Sequence, residues 1–413
     1  MPSDPTIWII NHYAGGPTIG TGWRHWELAR RWIGAGARAR IFTASTEIGG
    51  AHSAKRHGSS EIDGVPFEFV PVPDYRGNGV GRIANMLMFA ARVGAHAHRV
   101  CDRSGERPTL VIGSSPHPFV WEPAMAIARR HRATFVAEVR DTWPDSLIEL
   151  FGMSPRHPFG AVCSRLATRA FRRAAMVASS LPRVTEHVEA LAGRPVPTLM
   201  IPNGADLTQQ PAREVPRAVM ALLESAAADG RRVLLYAGAM GRPNALDQLF
   251  LAIESLPTHE RARLFCLMIG TGTERARLEA TTKSDFPEIR FAGPQPQDVV
   301  AALMLHSHAG FIGWLNRPLY RFGVSPQKLS MMLAGGLPVI HAVPDGVHDW
   351  ASTFPGWICR AEDPESLRVA ILAMLQTNDQ SLQGMRDECV AIARSVFDWD
   401  RIASDSLTAL ARS

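Results

Sequence analysis

Short apolar runs alternate along the chain with longer stretches of helical spacing. Thr6–Asn11 (TIWIIN) reads as a buried strand, residues 23–34 have the spacing of a helix, and Arg38–Ala44 (RARIFTA) is strand-like again. A strand, a glycine-rich turn, a helix and a second strand make a βαβ unit with a parallel sheet. Residues 109–114 and Thr134–Val139 fit further strands, with a helix over 124–131 between them, and 176–180 and 198–202 continue the series. A second series opens after Asn203-Gly204. Its strands are 232–236, Leu264–Ile269, 289–292, Ala309–Ile312 and 338–341, with helices over 246–253 and from Glu274. Two α/β series of similar length predict two doubly wound domains, divided near residues 203–216. Such sheets bind ligands outside the carboxyl ends of their strands, so the expected active site is a cleft between two facing sheets.

Composition narrows the class. The 413 residues are 46 % hydrophobic and 20 % charged, which excludes a disordered chain, a collagen-like fibre and a long coiled coil. Cys101, Cys163, Cys266, Cys359 and Cys389 lie far apart with no CxxC, so a reducing cytosol is expected rather than a disulfide framework or a zinc knuckle. No apolar run approaches the length of a transmembrane helix, and MPSDPTIWIINHY lacks the marks of a signal peptide. The net charge of +5 is uneven: 24 Lys/Arg face 16 Asp/Glu in residues 1–200, and 20 face 23 in the remainder. A basic first half points to an anionic partner without choosing among phosphate, nucleic acid and acidic lipid. No nucleic-acid-binding module is recognisable, so nucleic acid is not expected.

Candidate chemistry gathers where strands end. The loop Tyr13–Gly22 contains Gly15 and Gly16 and leads into a helix, which suits either an anion at a helix N-terminus or a tight turn. Residues 138–144 (EVRDTWP) put Arg140 and Asp141 at a strand's carboxyl end. The carboxylate could orient or deprotonate a hydroxyl and the guanidinium hold a phosphate or a sugar oxygen, or the two could simply brace the loop. Gly241 and Arg242 follow the first strand of the second series as a possible phosphate cradle. Residues 323–328 (GVSPQK) are expected to open a helix, with Ser325 capping, Pro326 near its first position and Lys328 one turn in. His12, His25 and His117 fall near the expected cleft without metal-ligand spacing and read as surface or satisfied core residues. The Met-rich segment 82–97 and the arginine-rich segment 151–173 each fit either an ordinary helix or one facing lipid.

Taken in order, these pieces resemble a known family. The GGP of residues 15–17 with WRHWELARRW, EVRDTWPDS at 138–146, IPNGAD at 201–206, YAGAMGR at 236–242, IGTGTERARL at 269–278, FAGPQPQDV at 291–299 and YRFGVSPQKL at 320–329 with MMLAGGLPVI are similar to glycosyltransferase family 4. The nearest likeness is to the bacterial L-fucosamine transferase-like subgroup of surface-polysaccharide biosynthesis. The resemblance implies the α/β GT-B fold: an acceptor-binding Rossmann-like domain (1–205), a nucleotide-sugar-binding one (206–392), and a terminal helix (393–413) returning to the first. It implies retaining transfer of a hexosyl or N-acetylhexosaminyl group to an acceptor hydroxyl, with no cofactor or metal. A UDP-sugar is the expected donor, and a lipid-linked or saccharide chain the expected acceptor. It further implies a cytoplasmic protein, peripheral on an anionic inner membrane face through its basic half.

The resemblance also assigns residues. Gly241, Arg242, Gly323, Val324, Ser325 and Lys328 would face the donor diphosphate, Gly293 and Gln295 the base, and Gly15 and Gly16 the phosphate from the first domain. Arg140 and Asp141 stand where many relatives carry a catalytic His-Asp pair. Two departures matter. Gly323 and Met331 replace a pair of family glutamates, and Pro243-Asn244-Ala245-Leu246 lacks the lysine usual after the phosphate arginine. A catalytically inactive nucleotide-sugar-binding or partner protein, and a nucleotide-sugar epimerase, therefore stay open as rivals.

Overall fold

The apolar runs become the inner strands of two sheets, seen in a computed structural model that describes residues 5–20, 22–46, 57–77, 79–208, 211–212, 214–282, 286–347 and 351–412. Thr21 of the first glycine loop, residues 209, 210 and 213 near the expected domain division, and the first four residues lie outside the described set. One unit runs to Pro202 and takes in Trp399 onward; the other is Asn203–Asp398.

The first unit contains β1 (Thr6–Asn11), α1 (Arg24–Gly34), β2 (Arg38–Ala44), β3 (Gly58–Ile62), β4 (Val65–Val70), α2 (Val80–Ser104), β5 (Leu110–Ser114), α3 (Trp121–His131) and β6 (Thr134–Val139). It continues with α4 (Asp145–Phe151), α5 (Pro158–Arg173), β7 (Met176–Ser179), α6 (Val184–Ala192) and β8 (Thr198–Met200). The sheet order is β3-β4-β2-β1-β5-β6-β7-β8. Every neighbouring pair is parallel except β3–β4. Side chains alternate between the two faces along β1, so the sheet is covered on both: Trp8 and Ile10 enter one core, Ile7 and Ile9 the other.

The second unit contains α7 (Arg217–Ala228), β9 (Arg232–Ala237), α8 (Leu246–Glu254), α9 (Thr258–Arg261), β10 (Leu264–Ile269), α10 (Arg275–Thr282), β11 (Ile289–Gly293) and α11 (Gln297–Leu305). It continues with β12 (Ala309–Ile312), α12 (Gln327–Ala334), β13 (Val339–Val343), β14 (Gly356–Arg360), α13 (Pro364–Gln376) and α14 (Asp379–Ile392). Its sheet, β11-β10-β9-β12-β13-β14, is parallel throughout. Leu234 and Tyr236 pack into one core, Val233 and Leu235 into the other. Both units are therefore Rossmann-like α/β layers.

Three strands escape the pattern reading. β3 is a polar edge strand with alternating exposure, β4 follows it through a tight turn, and β14 is a half-exposed edge. β3 and β14 are edge strands, which lack the continuous apolar run that marks a buried parallel one; β4 is an inner strand whose run is broken by Pro66 and Glu68. The units also divide slightly earlier than residue 205. Asn203 Nδ2 donates to Ser325 O (2.7 Å), Ser330 Oγ to Gly204 O (3.0 Å) and Ala205 N to Phe397 O (2.7 Å), all within the second unit. The final helix, α15 (Trp399–Ala411), packs on α1 of the first unit, where Trp32 Nε1 donates to Ala403 O (3.0 Å) and Arg31 pairs with Asp400.

Candidate functional site

In the first unit, candidate groups follow the carboxyl ends of β1, β5 and β6, neighbours in the sheet order except that β5 lies between the other two. The loop after β1 closes on itself. Gly15 N donates to Gly22 O (3.0 Å), Gly16 N to Ile19 O (2.7 Å), and Ile19 N returns to Gly16 O (2.9 Å). A Cβ on Gly15 would stand 2.4 Å from Ile19 O, so glycine is demanded by the loop's own packing. Both glycine amides are thus engaged within the loop and neither donates to an anion in this conformation.

Beneath that loop lies a buried charge cluster. Glu138 receives Arg24 Nε and Nη2 (3.1 and 3.0 Å) on Oε1 and His25 Nε2 (2.7 Å) on Oε2. Arg24 also donates to the carbonyls of Pro202 and Ile201, each at 2.6 Å. Desolvation favours a neutral Glu138, but Arg24, His25 and Arg140 overcome it and hold the carboxyl well below its usual range. The carboxylate is ionised, so His25 donates from Nε2, and burial keeps the ring neutral.

Arg140 and Asp141 cap β6, their amides donating to Ser115 Oγ (2.8 and 3.3 Å). The Arg140 guanidinium makes no hydrogen bond or ion pair among the described residues. Burial and the neighbouring Arg24 both lower its pKa. Asp141 Oδ2 accepts from Trp143 Nε1 (3.2 Å), and burial raises its carboxyl despite that bond and the nearby Ser146 hydroxyl. The pair forms no mutual salt bridge among the described residues; Asp141 is held by Trp143 and both amides by Ser115.

A histidine relay lies alongside. Asn85 Nδ2 donates to Pro73 O (2.6 Å) and Thr46 Oγ1 (3.2 Å), which leaves its Oδ1 to accept from His12 Nε2 (2.6 Å). His12 Nδ1 must then accept, and His117 Nε2 donates to it (2.9 Å). Burial lowers His12 to about 3, and burial with His12 and Arg82 nearby keeps His117 neutral as well. The chain of tautomers ends at His117 Nδ1, a buried acceptor with no partner among the described residues. It can take a hydrogen bond from a hydroxyl. His12 is a satisfied core residue as expected; His117 carries this further capacity, and only the partner Asn85, hidden in a Met-rich helix, reveals it.

In the second unit the candidates follow β9, β10, β11 and β12, four adjacent strands. The loops 238–241 and 270–272 pack backbone to backbone: Met240 N donates to Thr271 O (2.8 Å) and Glu274 N to Met240 O (3.0 Å). Gly270 (φ +133°) would place a Cβ 2.0 Å from Gly238 O, so this contact admits only glycine. Gly241 leads into a short 3-10 turn, and Arg242 is exposed with no side-chain partner among the described residues. Gly293 (φ +74°) ends β11 and its carbonyl accepts Gly270 N (2.9 Å); Gln295 Nε2 folds back to Ala292 O (3.0 Å).

The approach to α12 differs from the expectation. Pro326, not Ser325, occupies the cap position, with extended backbone and no side-chain cap. Ser325 lies one residue earlier, its carbonyl taken by Asn203. A proline has no N–H to lose there, so the helix starts at Gln327 and Lys328 is its second residue rather than one turn in. Val324 is buried, and Gly323 (φ +94°) turns the chain into the helix.

Lys328 is the focus of this edge. Its Nζ donates to Asn244 Oδ1 (2.7 Å) and Tyr236 OH (3.4 Å) and stands 4.7 Å from the centroid of the Tyr236 ring. Ala239 O accepts both Tyr236 OH and Asn244 Nδ2, which aims the two oxygens at the ammonium. No carboxylate pairs with it among the described residues, and desolvation lowers its pKa to about 8. Tyr236 and Asn244 surround this candidate group without having been singled out in the sequence; the PNAL tetrapeptide signalled only the absence of a second lysine. Among the described residues no group of three or more His, Cys, Asp or Glu side chains could hold a metal ion.

Comparison with known proteins follows the same division. Residues 20–204 match the family model described as a glycosyl transferase 4-like domain. Among curated proteins, no sequence matches the chain. Sucrose-phosphate synthase from Thermosynechococcus elongatus superposes with a TM-score of 0.76 at 13 % identity, covering 99 % of this chain and 98 % of that one. Anabaena HepE in complex with UDP and glucose gives 0.68 at 14 % identity over 99 % and 100 %. WaaG, a glycosyltransferase involved in lipopolysaccharide biosynthesis, gives 0.65 at 15 % over 98 % and 99 %. The L-fucosamine transferase-like subgroup is not among these findings. The chain thus has the GT-B fold of these structures, and its residues 20–204 are similar to the glycosyl transferase 4-like domain model.

Proposed function

We propose that the protein is a glycosyltransferase that moves a sugar, with retention, from a nucleotide-diphosphate donor to an acceptor hydroxyl in cell-surface glycan assembly. The observation that carries this reading is Lys328, a partly buried ammonium with two neutral oxygens and an aromatic face around it but no acid. Such a group suits the charge that develops on a leaving diphosphate, and a fixed cation aimed there lowers the barrier. Arg242, exposed at the neighbouring loop, adds donors on the same edge. HepE, of the same fold, is seen with UDP and glucose, which supports a UDP-sugar donor.

In this reading the second unit binds the donor, with Gly293 and Gln295 toward the base and Gly323, Val324 and Ser325 shaping the phosphate approach. The first unit binds the acceptor. Asp141, its carboxyl raised by burial, orients the attacking hydroxyl, and the unpaired Arg140 holds an anionic group of the acceptor. His117 Nδ1 accepts from a further hydroxyl. The surface-polysaccharide subgroup and a hexosyl or N-acetylhexosaminyl donor rest on the sequence motifs; the lipopolysaccharide role of WaaG supports a cell-surface product. A second reading, a nucleotide-sugar-binding protein without turnover, is favoured by Met331, an apolar side chain on α12 where the family motif has a carboxylate.

A thermal-shift and hydrolysis screen against UDP-, GDP-, dTDP- and ADP-sugars tests both. Selective stabilisation with slow release of free nucleotide is expected. Stabilisation without release, even with polyprenyl-linked and oligosaccharide acceptors added, supports the second reading. No response to any sugar nucleotide overturns both. Arg242→Ala and Lys328→Ala should each cost about 2–4 kcal/mol of transition-state stabilisation; activity within twofold of wild type in both would sink the diphosphate assignment.

A further inference from the structure

The histidine relay of the first unit has a direction, and one carbonyl sets it. Pro73 O can only accept, so the Asn85 amide turns Nδ2 toward it (2.6 Å) and Oδ1 toward His12 (2.6 Å). His12 is buried and neutral, so its single proton sits on Nε2 and its Nδ1 is bare. His117, buried and neutral in turn, spends its single proton on that Nδ1 (2.9 Å). Its own Nδ1 is left as an acceptor. The polarity of His117 is therefore decided in the loop between β4 and α2, by a carbonyl at the far end of the relay.

The surroundings do not satisfy that nitrogen. The ring neighbours of His117 are Phe119, Tyr13 and Trp143, with centroids 5.6, 6.3 and 6.4 Å away. Phe119 has no donor, the Tyr13 hydroxyl faces Arg82 Nε (3.2 Å), and Trp143 gives its N–H to Asp141 (3.2 Å). A buried acceptor left bare costs stability and marks a place for a donor from outside the chain. Trp143 and Asp141 are partly exposed, so the relay ends one aromatic ring from the surface at the carboxyl edge. The indole is held by Asp141 at its nitrogen and edge-on by Phe159 (6.3 Å). A fixed aromatic ring with a carboxyl and a bare imidazole nitrogen beside it suits a saccharide. The ring takes the apolar face of the sugar, and the few placed polar groups take its hydroxyls.

We infer that Asn85 and His12 are positioning residues that fix His117 as the acceptor for one hydroxyl of a saccharide seated beside Trp143. This rests on the proposed transferase reading, in which that saccharide is the acceptor. A free hydroxyl donates to Nδ1. A carboxylate, phosphate or ether oxygen at the same place has no proton to give and sets lone pair against lone pair. The relay thus admits a sugar with a free hydroxyl there and refuses one that is acidic or O-alkylated at that position.

Long-range nitrogen–proton correlation spectra of the full chain, labelled with nitrogen-15 in histidine, test this. The probes are the methyl glycosides of glucose, galactose, mannose and N-acetylglucosamine. Free His117 should carry its proton on Nε2 alone. Asn85→Leu removes the acceptor that holds the His12 proton, so His117 should then populate both tautomers. At least one glycoside should shift the His117 Nδ1 resonance. Its dissociation constant should rise about tenfold or more in Asn85→Leu and in His117→Phe, which keeps a ring and removes the nitrogen. Among monodeoxy forms of that glycoside, one should lose as much affinity for wild type and nothing further for His117→Phe. Melting temperatures separate binding from folding, and where Asn85→Leu does not fold, His117→Phe carries the test. The inference is overturned by a His117 proton on Nδ1, by an unchanged tautomer in Asn85→Leu, or by wild-type glycoside affinity in His117→Phe. It is also overturned if no glycoside moves the resonance, which leaves an internal water as the donor. UDP stabilisation of the wild type keeps the two readings apart. Glycoside binding without a UDP response upholds the pocket and ends the donor reading; a UDP response without glycoside binding does the reverse.

Discussion

The carboxyl edges of the two sheets solve opposite electrostatic problems. In the first unit the deepest charge, Glu138, is matched internally by Arg24 and His25, and the adjacent loop closes on its own amides. In the second, backbone packs on backbone around glycines, and the Lys328 ammonium meets no acid among the described residues. A matched buried charge is structural until shown otherwise, because removing one partner strands the other. An unmatched one costs stability and persists where something else supplies the opposite sign. The contrast predicts that equivalent substitutions have different readouts: folding on the first edge, ligand binding on the second.

The largest expected effect tests the first half of that contrast. Glu138→Ala leaves Arg24 buried without its carboxylate and should cost about 3–5 kcal/mol of unfolding free energy by urea denaturation. A loss under ~1 kcal/mol would show that the cluster is not structural and would move Glu138 into the candidate chemistry. Lys328→Met tests the second half. Replacing a desolvated ammonium by an apolar chain of similar length should leave the melting temperature unchanged or raise it. UDP affinity by calorimetry should fall by about 1.5–3 kcal/mol, the scale of a charged hydrogen bond. A clear drop in melting temperature with UDP affinity intact would break the comparison.

What the sequence made legible follows from the same physics. β10, LFCLMI, is buried at every position, and a run of that kind can be read directly as an inner parallel strand. GSSEI at β3 could not be, since an edge strand needs few apolar residues. Glycine loops were legible as strand-end turns and the GVSPQK segment as a helix start, because glycine and proline set local backbone preferences. The capping role given to Ser325 was not right: Pro326 takes the cap, and the Ser325 carbonyl is held by Asn203, a contact 122 residues distant. Asn85 and Asn244 were invisible for a related reason. Each is an ordinary amide whose importance comes only from the His12 ring or the Lys328 ammonium that the fold brings to it.

A pH profile sharpens the comparison at smaller amplitude. Burial lowers Lys328 to about 8, below its unfolded value, so the charged form is the one the fold disfavours. Below pH 8 the ammonium is present and should bind a diphosphate. As pH rises through 8 it is lost, and the UDP dissociation constant should climb about tenfold per unit beyond that point. Stability should move the other way over the window between the folded and unfolded pKa, because the unfolded chain there binds the extra proton. Lys328→Met should flatten the binding profile; a wild-type profile flat from pH 7 to 10 would count against Lys328 as the diphosphate cation.

The smallest effect concerns how that ammonium is held. Asn244 Oδ1 is its one short acceptor, and Asn244 Nδ2 is anchored on Ala239 O. Asn244→Ala removes a dipole that favours the charged form, so the break in the UDP profile should move below pH 8. At pH 7 the affinity should fall by only about 0.5–1.5 kcal/mol, the net worth of one hydrogen bond. Because the Ala239 carbonyl keeps its bond from Tyr236 OH, the loop should stay folded and the melting temperature should hold. A shift of the break with little loss of stability would show that this edge is built to tune one charge. A loss of stability without a shift would place Asn244 with the first edge, as a brace for the 238–241 loop.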